Sequence, residues 1–267
     1  MYDSRSPYGP TLFEGTATYY ARYRPHYPQE LFEFLVRCYH LDGTGRALDL
    51  GCGTGQLTFS LVPYFEQVIG MEPDEAMLKT ARQLVCAAHV PNVCFKLGSS
   101  WELSPAMGQF RLVTMGESFH WMDREQVLFT LHSMIPPGGG VVIVSRKFHA
   151  SQQHEAAVTK TLEQFLGARR RAGQGYSSHP SERHEVILAR SLFAVLEPWH
   201  YEYQQDRTID EIIGFLYSTS YAARRLFGDQ AEAFEARLRS ALLEVEPRGC
   251  FTFRILITAL LGVRERG

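Results

Sequence analysis

A glycine-rich turn follows a short apolar run in ALDLGCGTGQL, residues 47–57. Gly51, Gly53 and Gly55 let the backbone adopt positive φ and let a ligand approach where a Cβ would block it. Glu72 ends the next apolar run, 21 residues after Gly51. An acid at that distance suits the vicinal hydroxyls of a ribose. A glycine turn alone often only joins a strand to a helix, but the order strand, turn, helix, strand, acid predicts a nucleotide site.

The glycine spacing argues against two common nucleotide sites. Gly55 lies two positions after Gly53, whereas the dinucleotide fingerprint requires three. The turn is also not followed by the lysine of a phosphate-binding P-loop. Neither NAD nor ATP therefore fits well.

The sequence resembles the class I S-adenosylmethionine-dependent methyltransferases over residues 19–264. The motifs are LDLGCGTGQL, VIGMEPDEAML, LGSSWEL, FRLVTMGESFHWMD and IPPGGGVVIVS. YYARYRPHYP is similar to the N-terminal segment of a small-molecule branch that includes trans-aconitate methyltransferase-like proteins. The resemblance implies an α/β, Rossmann-like fold. Its sheet has seven strands, mostly parallel, in the order 3-2-1-4-5-7-6 with the last antiparallel, and a helical cap insertion is added to it.

The same resemblance implies S-adenosylmethionine as cofactor and S-adenosylhomocysteine as product. It places the methionine part over the glycine turn, the ribose on Glu72, and the adenine between the 72–73 turn and residues 99–101. Ser99 stands where the family often has an acid for the adenine amino group, so Trp101 is the alternative contact to the base. The predicted cofactor-binding residues are Tyr20, Arg24, Asp49, Gly51, Cys52, Gly53, Glu72, Pro73, Ser100, Trp101, Gly116 and Glu117.

Residues 116–123, GESFHWMD, follow the fourth strand and are expected to face the cofactor from the acceptor side. Methyl transfer is an in-line displacement with a good leaving group, so positioning supplies much of the acceleration. A base is needed only if the acceptor loses a proton. His120 is the candidate base, because an imidazole with a pKa of about 6.5 accepts a proton at neutral pH. Alternatively, His120 and Trp121 only form the pocket wall.

The segment YYARYRPHYP combines tyrosines with Arg24. Its aromatic and basic side chains suit the closure of the site over a cofactor that carries a carboxylate. The planar guanidinium of Arg24 is a candidate to pair with that carboxylate. The alternative is a segment that packs on the sheet for stability alone.

From Phe148 the alternation of strands and helices gives way to a long helical stretch and a polar loop, typical of an insertion. Its basic residues favour either an anionic acceptor or a solvated helix end. They are Arg169, Arg170, Arg171 and Arg183, with Tyr176 and His179 nearby. The spacing of His179, His184 and Glu185 is not a recognised metal-binding one, so no metal site is predicted.

The stretch FLYSTSYAARRLFG, residues 215–228, is either a second pocket wall or part of the core. Tyr217, Ser218 and Tyr221 are its candidates to face an acceptor. The predicted substrate-binding residues are Trp121, Tyr217 and Arg171.

Length and composition predict a single domain over residues 1–267, since 45% of the residues are hydrophobic, and the resemblance implies that it is a methyltransferase domain. Within it, residues 1–30 form an N-terminal arm and the segment at the entrance of the site. Residues 148–183 and 208–245 form the helical cap over the acceptor side. The five cysteines include no C-x-x-C pair, which indicates reduced thiols.

The formal net charge of -2 gives no overall electrostatic signature of nucleic-acid binding. We found no secretory signal pattern, and the longest apolar stretch, ILITALLGV, is too short to cross a bilayer. A cytoplasmic protein without a membrane partner is therefore expected, and its oligomeric state is left open.

Three functions are consistent with this sequence. The first is an enzyme that methylates an oxygen or nitrogen of a small molecule. The basic residues of the insertion favour an anionic molecule as one form of this function. The second is an RNA methyltransferase of the tRNA-modifying type, which would need a basic face. The third is a protein that binds S-adenosylmethionine without catalysis.

Overall fold

The computed structural model describes residues 12–169 and 182–266, and the backbone alone of 171–172 and 175–176. Most of the strands are short and follow apolar runs. They are β1 (Arg46–Leu50), β2 (Gln67–Glu72), β3 (Val93–Leu97), β4 (Leu112–Gly116), β5 (Gly140–His149), β6 (Arg171–Ala172), β7 (Gly175–Tyr176), β8 (Ala194–Val195), β9 (Trp199–Thr208) and β10 (Cys250–Val263).

The main sheet has the order β3-β2-β1-β4-β5-β10, and β8 and β9 both pair with the outer side of β10. Strands β1 to β5 are mutually parallel, whereas β10 is antiparallel to β5, β8 and β9. The predicted order is confirmed, with β8 and β9 together as the sixth strand and β10 as the antiparallel seventh.

The sixth strand differs from the prediction because it is divided. Val195 pairs with Gly262 and Trp199 with Ala259, so this edge advances four residues while β10 advances three. The extra residue is a bulge, and Pro198 within it has no N–H to donate to the ladder. The sheet therefore contains eight strand segments rather than seven.

Helices cover both faces of the sheet. They are α1 (Ala17–Tyr23), α2 (Gln29–Tyr39), α3 (Gln56–Leu61), α4 (Glu75–Ala88), α5 (Arg124–Met134), α6 (Gln152–Leu166), α7 (His184–Ala189), α8 (Ile209–Tyr217) and α9 (Ala231–Val245). The start of α3 at Gln56, directly after the glycine turn, is as predicted.

The hydrophobic core has two parts. One contains buried side chains of α2, α8 and α9, such as Leu35, Leu216 and Phe234. The other contains side chains of α5 and α7, such as Leu131 and Ile187. Strands β1, β2 and β4 contribute to both parts, which explains why their sequences are almost continuously apolar.

The described helices of the predicted cap segments pack on the body of the domain. Phe165 of α6 contacts Phe234 of α9 with ring centroids 5.6 Å apart. Phe148 and His149 still belong to β5, so the helix of the first segment begins at Gln152. A role of these segments above an acceptor stays a prediction.

Candidate active site

The main cleft lies at the carboxyl ends of β1, β2 and β4, where open α/β sheets bind ligands. It has a cavity volume of about 260 Å³. Its wall combines backbone of the glycine turn with apolar side chains and a few acids. The lining residues are Leu12, Phe13, Tyr20, Leu50, Gly51, Gly53, Glu72, Pro73, Asp74, Met77, 97–102, 116–118, Trp121 and Met122.

The glycine turn needs residues without a Cβ. The backbone N–H groups of Gly51 and Cys52 both donate to Met71 O, at 2.8 and 3.1 Å, which fixes the turn against β2. At Gly51, φ is +72° and an added Cβ would lie 2.5 Å from Cβ of Ser118. At Gly53, φ is +56° and a Cβ would occupy the gap between the turn and the Tyr20 ring, 3.5 Å from its Cε1. The turn thus keeps the backbone open to the cleft.

Glu72 joins the end of β2 to this turn. Its carboxylate accepts hydrogen bonds from the backbone N–H of Gly53, at 2.9 Å, and of Asp74, at 3.1 Å. Burial raises the pKa of Glu72 to about 7, although both hydrogen bonds act to lower it. Each oxygen accepts one of these bonds and retains capacity for a ligand hydroxyl.

Asp74 then caps α4 by accepting hydrogen bonds from the N–H groups of Ala76, at 2.8 Å, and Met77, at 3.1 Å. This cap sets the direction in which the chain leaves the cleft after Pro73.

The opposite wall is the turn after β3. The Ser99 hydroxyl donates to Glu102 Oε2 at 2.6 Å and accepts from the Trp101 N–H at 3.3 Å. Ser99 is therefore engaged within its own turn, whereas the half-exposed Trp101 ring lines the cleft. This arrangement favours Trp101 over Ser99 as the contact for a planar base. Ser100 and Pro73 line the same region.

A smaller cavity adjoins the glycine turn, and we call it the arginine cavity. It is lined by Tyr20, Arg24, Pro25, Tyr27, Asp49, Gly51, Cys52, Gln56, Leu57, Gly116, Glu117 and Arg146. Nε of the buried Arg146 has no hydrogen-bond partner among the described residues, and its Nη1 donates to Pro25 O at 3.0 Å. Arg24 donates from Nε to the Ser218 hydroxyl at 2.9 Å. Two guanidiniums at one small cavity favour a carboxylate ligand.

Glu117 lines both cavities. Its φ of +54° is rare for a residue with a side chain, and such conformations concentrate at functional sites. Its carboxylate accepts a hydrogen bond from the backbone N–H of Arg146. Burial raises the pKa of Glu117, while the charges of Arg146 and Arg24 oppose the shift.

Asp49 is engaged by two threonines from neighbouring elements. It accepts hydrogen bonds from the hydroxyls of Thr58, at 2.6 Å, and Thr114, at 3.0 Å. Burial raises its pKa to about 6. Asp49 thus ties α3 and β4 to β1 beneath the arginine cavity, and Cys52 is buried beside it.

Aromatic rings close one side of the main cleft. Phe13 packs edge-on against Tyr20 and Trp121, with centroids 6.4 and 6.1 Å apart. Phe13 and Leu12 come from the N-terminal segment, whose residues 1–11 lie outside the described part of the chain.

His120 lies behind this wall and not among the described residues that line either cavity. Its ring contacts Trp121, with centroids 4.5 Å apart, and stacks on His184 at 6.3 Å. Burial, followed by the charges of His184 and Arg124, lowers the pKa of His120 to about 4. The imidazole is therefore neutral at physiological pH, and its assignment as a base stays a prediction.

Tyr217 is a core residue, so the prediction that it contacts an acceptor was wrong. Only 2% of it is exposed, its hydroxyl donates to Glu235 Oε1 at 2.9 Å, and its ring packs against Tyr19 and Phe227. The helical spacing of residues 215–221 turns this side chain toward α9.

The predicted insertion after Phe148 lies only partly within the described residues. Arg171 belongs to the two-residue strand β6, but its side chain lies outside the described residues, as do Arg170, Tyr176 and His179. Arg169 is described and exposed. Among the described residues, histidine, cysteine, aspartate and glutamate form no group of three that could hold a metal ion.

Several lining residues were missed by the sequence reasoning. They are Leu12, Phe13, Asp74, Met77 and Arg146. Arg146 could have been recognised, since it directly follows the apolar run VVIVS and a charged residue next to a buried strand often has a binding role. The apolar residues carried none.

Comparisons with known proteins relate part of this site to a family. Residues 47–139, from β1 to the turn before β5, match the family described as "Methyltransferase domain". The resemblance to methyltransferases is thus confirmed for this part of the chain.

The domain is similar to the trans-aconitate 2-methyltransferase of Deinococcus radiodurans, at 33% identity over 140 residues. It is also similar to a probable S-adenosylmethionine-dependent methyltransferase of Saccharomyces cerevisiae, at 30% identity over 126 residues. These matches cover 51% and 46% of this chain, and 52% and 43% of the relatives. The matched part thus spans about half the length of the curated relatives.

The fold is similar to the solved structure of a putative type II methyltransferase from Anaeromyxobacter dehalogenans. The TM-score is 0.62 at 24% identity, and the alignment covers 91% of this chain and 99% of that one. The similarity of the methyltransferase fold therefore extends beyond the matched half. In the described part of the chain, we found no helix with the length and apolar character needed to span a membrane.

Proposed function

We propose that this methyltransferase domain binds S-adenosylmethionine in the main cleft and transfers its methyl group to an oxygen or nitrogen of a small molecule. The observation that carries the proposal is the contact of Glu72 with the glycine turn. One carboxylate is held at the turn by Gly53 N–H and still faces the cleft. This pairing of a ribose-binding acid with an open backbone turn is what an adenosine-bearing ligand requires.

The shape and charge of the two cavities fit the three parts of this cofactor. The arginine cavity would hold the amino-acid end, because Arg24 and the unpartnered Nε of Arg146 favour a carboxylate. Glu72 would accept hydrogen bonds from the ribose hydroxyls. Pro73 and Trp101 would enclose the adenine between them.

When bound, S-adenosylmethionine supplies a methyl group on a sulfonium, which the acceptor's lone pair attacks while the sulfur leaves with the bonding electrons. The protein's contribution is mainly to position the acceptor in line with that bond. Phe13 and Trp121 form an apolar wall that orients the acceptor and excludes water. His120 is available to take a proton only if its ring moves from its contact with His184.

A small-molecule acceptor is supported by three observations. The described cleft is enclosed by aromatic side chains, the chain has no excess of positive charge, and the Deinococcus relative is named for a small-molecule acceptor. An anionic acceptor is consistent with that name. The cytoplasm is the compartment expected for such a reaction.

The test is transfer of an isotopically labelled methyl group from S-adenosylmethionine into a cell extract separated into small-molecule, RNA and protein fractions. The Glu72→Ala variant serves as the matched control. Label that depends on Glu72 and enters the small-molecule fraction supports the proposal. Label in RNA supports an RNA methyltransferase instead, and cofactor binding without label in any fraction supports a non-catalytic binding protein.

A further inference from the structure

A second cavity lies outside the main cleft, between residues 22–28, at the end of α1 and directly after it, and residues 201–207 of β9. We call it the strand-edge cavity. Its volume is about 450 Å³. Arg22, Arg24 and His26 line one side, and Tyr203 and Arg207 of β9 line the other. Arg24 and Pro25 also line the arginine cavity, whereas the residues of β9 that line the strand-edge cavity take no part in the proposed reaction.

Arg207 is a buried cation that forms no ion pair with the described residues, although the charge of Glu211 acts on it from the same cavity wall. Only 4% of it is exposed, and its Nη2 donates to Gln205 Oε1 at 3.2 Å. Its guanidinium packs over the rings of Phe148, Phe215 and Phe253, at 5.0, 4.7 and 5.4 Å. Among the described residues, no carboxylate oxygen lies within 4.0 Å of this guanidinium. Burial lowers its pKa to about 10, so it is still charged at neutral pH.

Burying an unpaired charge is unfavourable, and an anionic ligand that pairs with Arg207 would offset part of that cost. The carboxylate among the described lining residues is that of Glu211, and its single negative charge is outnumbered by Arg22, Arg24 and Arg207. Its Oε2 accepts hydrogen bonds from the backbone N–H and the hydroxyl of Thr208, at 2.8 and 2.9 Å, as the cap of α8. The lining therefore keeps a positive balance from its arginines.

The wall of β9 adds an aromatic surface. Trp199 and Tyr201 stack at 5.5 Å with an interplanar angle of 1°, and Tyr203 follows Tyr201 at 6.0 Å. These residues alternate with exposed ones, so their rings share one face of the strand. Tyr201 and Tyr203 line the cavity and present apolar faces beside the cations.

We propose that the strand-edge cavity binds a small aromatic oxyanion, whose carboxylate or phosphate pairs with Arg207 and Arg22 and whose ring packs against Tyr203. Guanidinium binds both kinds of oxyanion through parallel hydrogen bonds, so the two share one recognition chemistry. The inference does not depend on methyl transfer, since it concerns the free protein.

The test is calorimetric titration of the full chain, without S-adenosylmethionine, with benzoate, phenyl phosphate and the neutral benzyl alcohol. Saturable binding of one or both anions, but not of the alcohol, is expected, and the tighter anion identifies the ligand class. Arg207→Lys should weaken binding about tenfold or more, because lysine lacks the planar fork. Arg254→Gln, on the exposed side of β10, should leave it unchanged.

Arg22→Gln provides an independent variant, since Arg22 is exposed and its replacement leaves the core intact. It should weaken anion binding severalfold even if Arg207→Lys fails to fold. The proposal is overturned if neither anion binds at millimolar concentration, if benzyl alcohol binds as well as the anions, or if the folded variants bind like the wild type.

Discussion

The carboxylate of Glu72 accepts a hydrogen bond from the backbone N–H of Gly53 at 2.9 Å, so the acid after β2 holds the glycine turn after β1. The two residues are separated by 18 intervening positions that contain α3 and most of β2. Their contact makes the turn and the acid one structural unit, and a ligand that touches one is oriented toward the other.

This buried carboxyl should affect stability with a defined sign. The pKa of Glu72 is raised from 4.5 to about 7 in the folded protein, so the folded state binds more protons than the unfolded state between these values. Stability from this group is present below pH 4.5 and is lost as the pH rises toward 7. Glu72→Gln should remove that loss, which the shift limits to about 3 kcal/mol.

Urea unfolding of the wild type and of Glu72→Gln at pH 5 and pH 7.5 measures this effect. The gain of the variant over the wild type should be larger at pH 7.5. The raised pKa of Asp49 acts in the same direction in both proteins and cancels in the comparison. An equal difference at both pH values would contradict the account of Glu72.

His154 should give the opposite pH dependence. It is buried, its Nδ1 has no hydrogen-bond partner among the described residues, and it packs edge-on against Phe251 and Phe253. Burial lowers its pKa from 6.5 to about 4, so stability is lost as the pH falls through this interval. His154→Leu should retain more of its neutral-pH stability at pH 5 than the wild type retains. A parallel loss in both proteins, measured by thermal unfolding, would refute this role.

If the arginine cavity binds the amino-acid end of the cofactor, a change at Arg146 should weaken only ligands that carry this end. Arg146→Lys keeps the charge but loses the planar fork, so we expect S-adenosylmethionine to bind about tenfold more weakly. Binding of 5′-methylthioadenosine, which lacks the amino-acid end, should be unchanged. Arg254→Lys is the matched control on the exposed side of β10. Equal weakening of both ligands would indicate that Arg146 acts through the fold and not through the carboxylate.

His120→Ala separates the two interpretations of that residue. If His120 is a base, the variant should keep its cofactor affinity while its turnover falls about a hundredfold or more. Unchanged turnover would leave His120 as a support for Trp121. A loss of cofactor affinity would contradict both interpretations, because the ring lies outside the described lining of the cleft.

Much of the fold could be predicted, because its signals are local. Apolar runs such as VVIVS mark strands that are buried on both faces, and the glycines mark the turn into α3 at Gln56. The bulge near Pro198 was not predicted, since it depends on the register of β9 against β10.

The lining of the cleft was predictable where a motif forms it and not where packing assembles the wall. Glu72 and Gly53 follow from spacing alone. Tyr217 could not be assigned, because helical spacing gives a residue the same pattern whether it faces a pocket or the core. Arg146 reaches the site through the pairing of β5 with β4, which the local sequence does not record.

The most direct test of the account is a titration of the purified chain with S-adenosylmethionine, carried out in parallel with Glu72→Ala and with Glu75→Gln as an exposed acidic control. The wild type and Glu75→Gln should bind with equal affinity. Glu72→Ala should lose about 1.5–3 kcal/mol, the range for hydrogen bonds to a charged group, or about ten- to a hundredfold or more in affinity. Equal binding by all three proteins, or no binding by the wild type, would contradict the assignment of this cleft to S-adenosylmethionine.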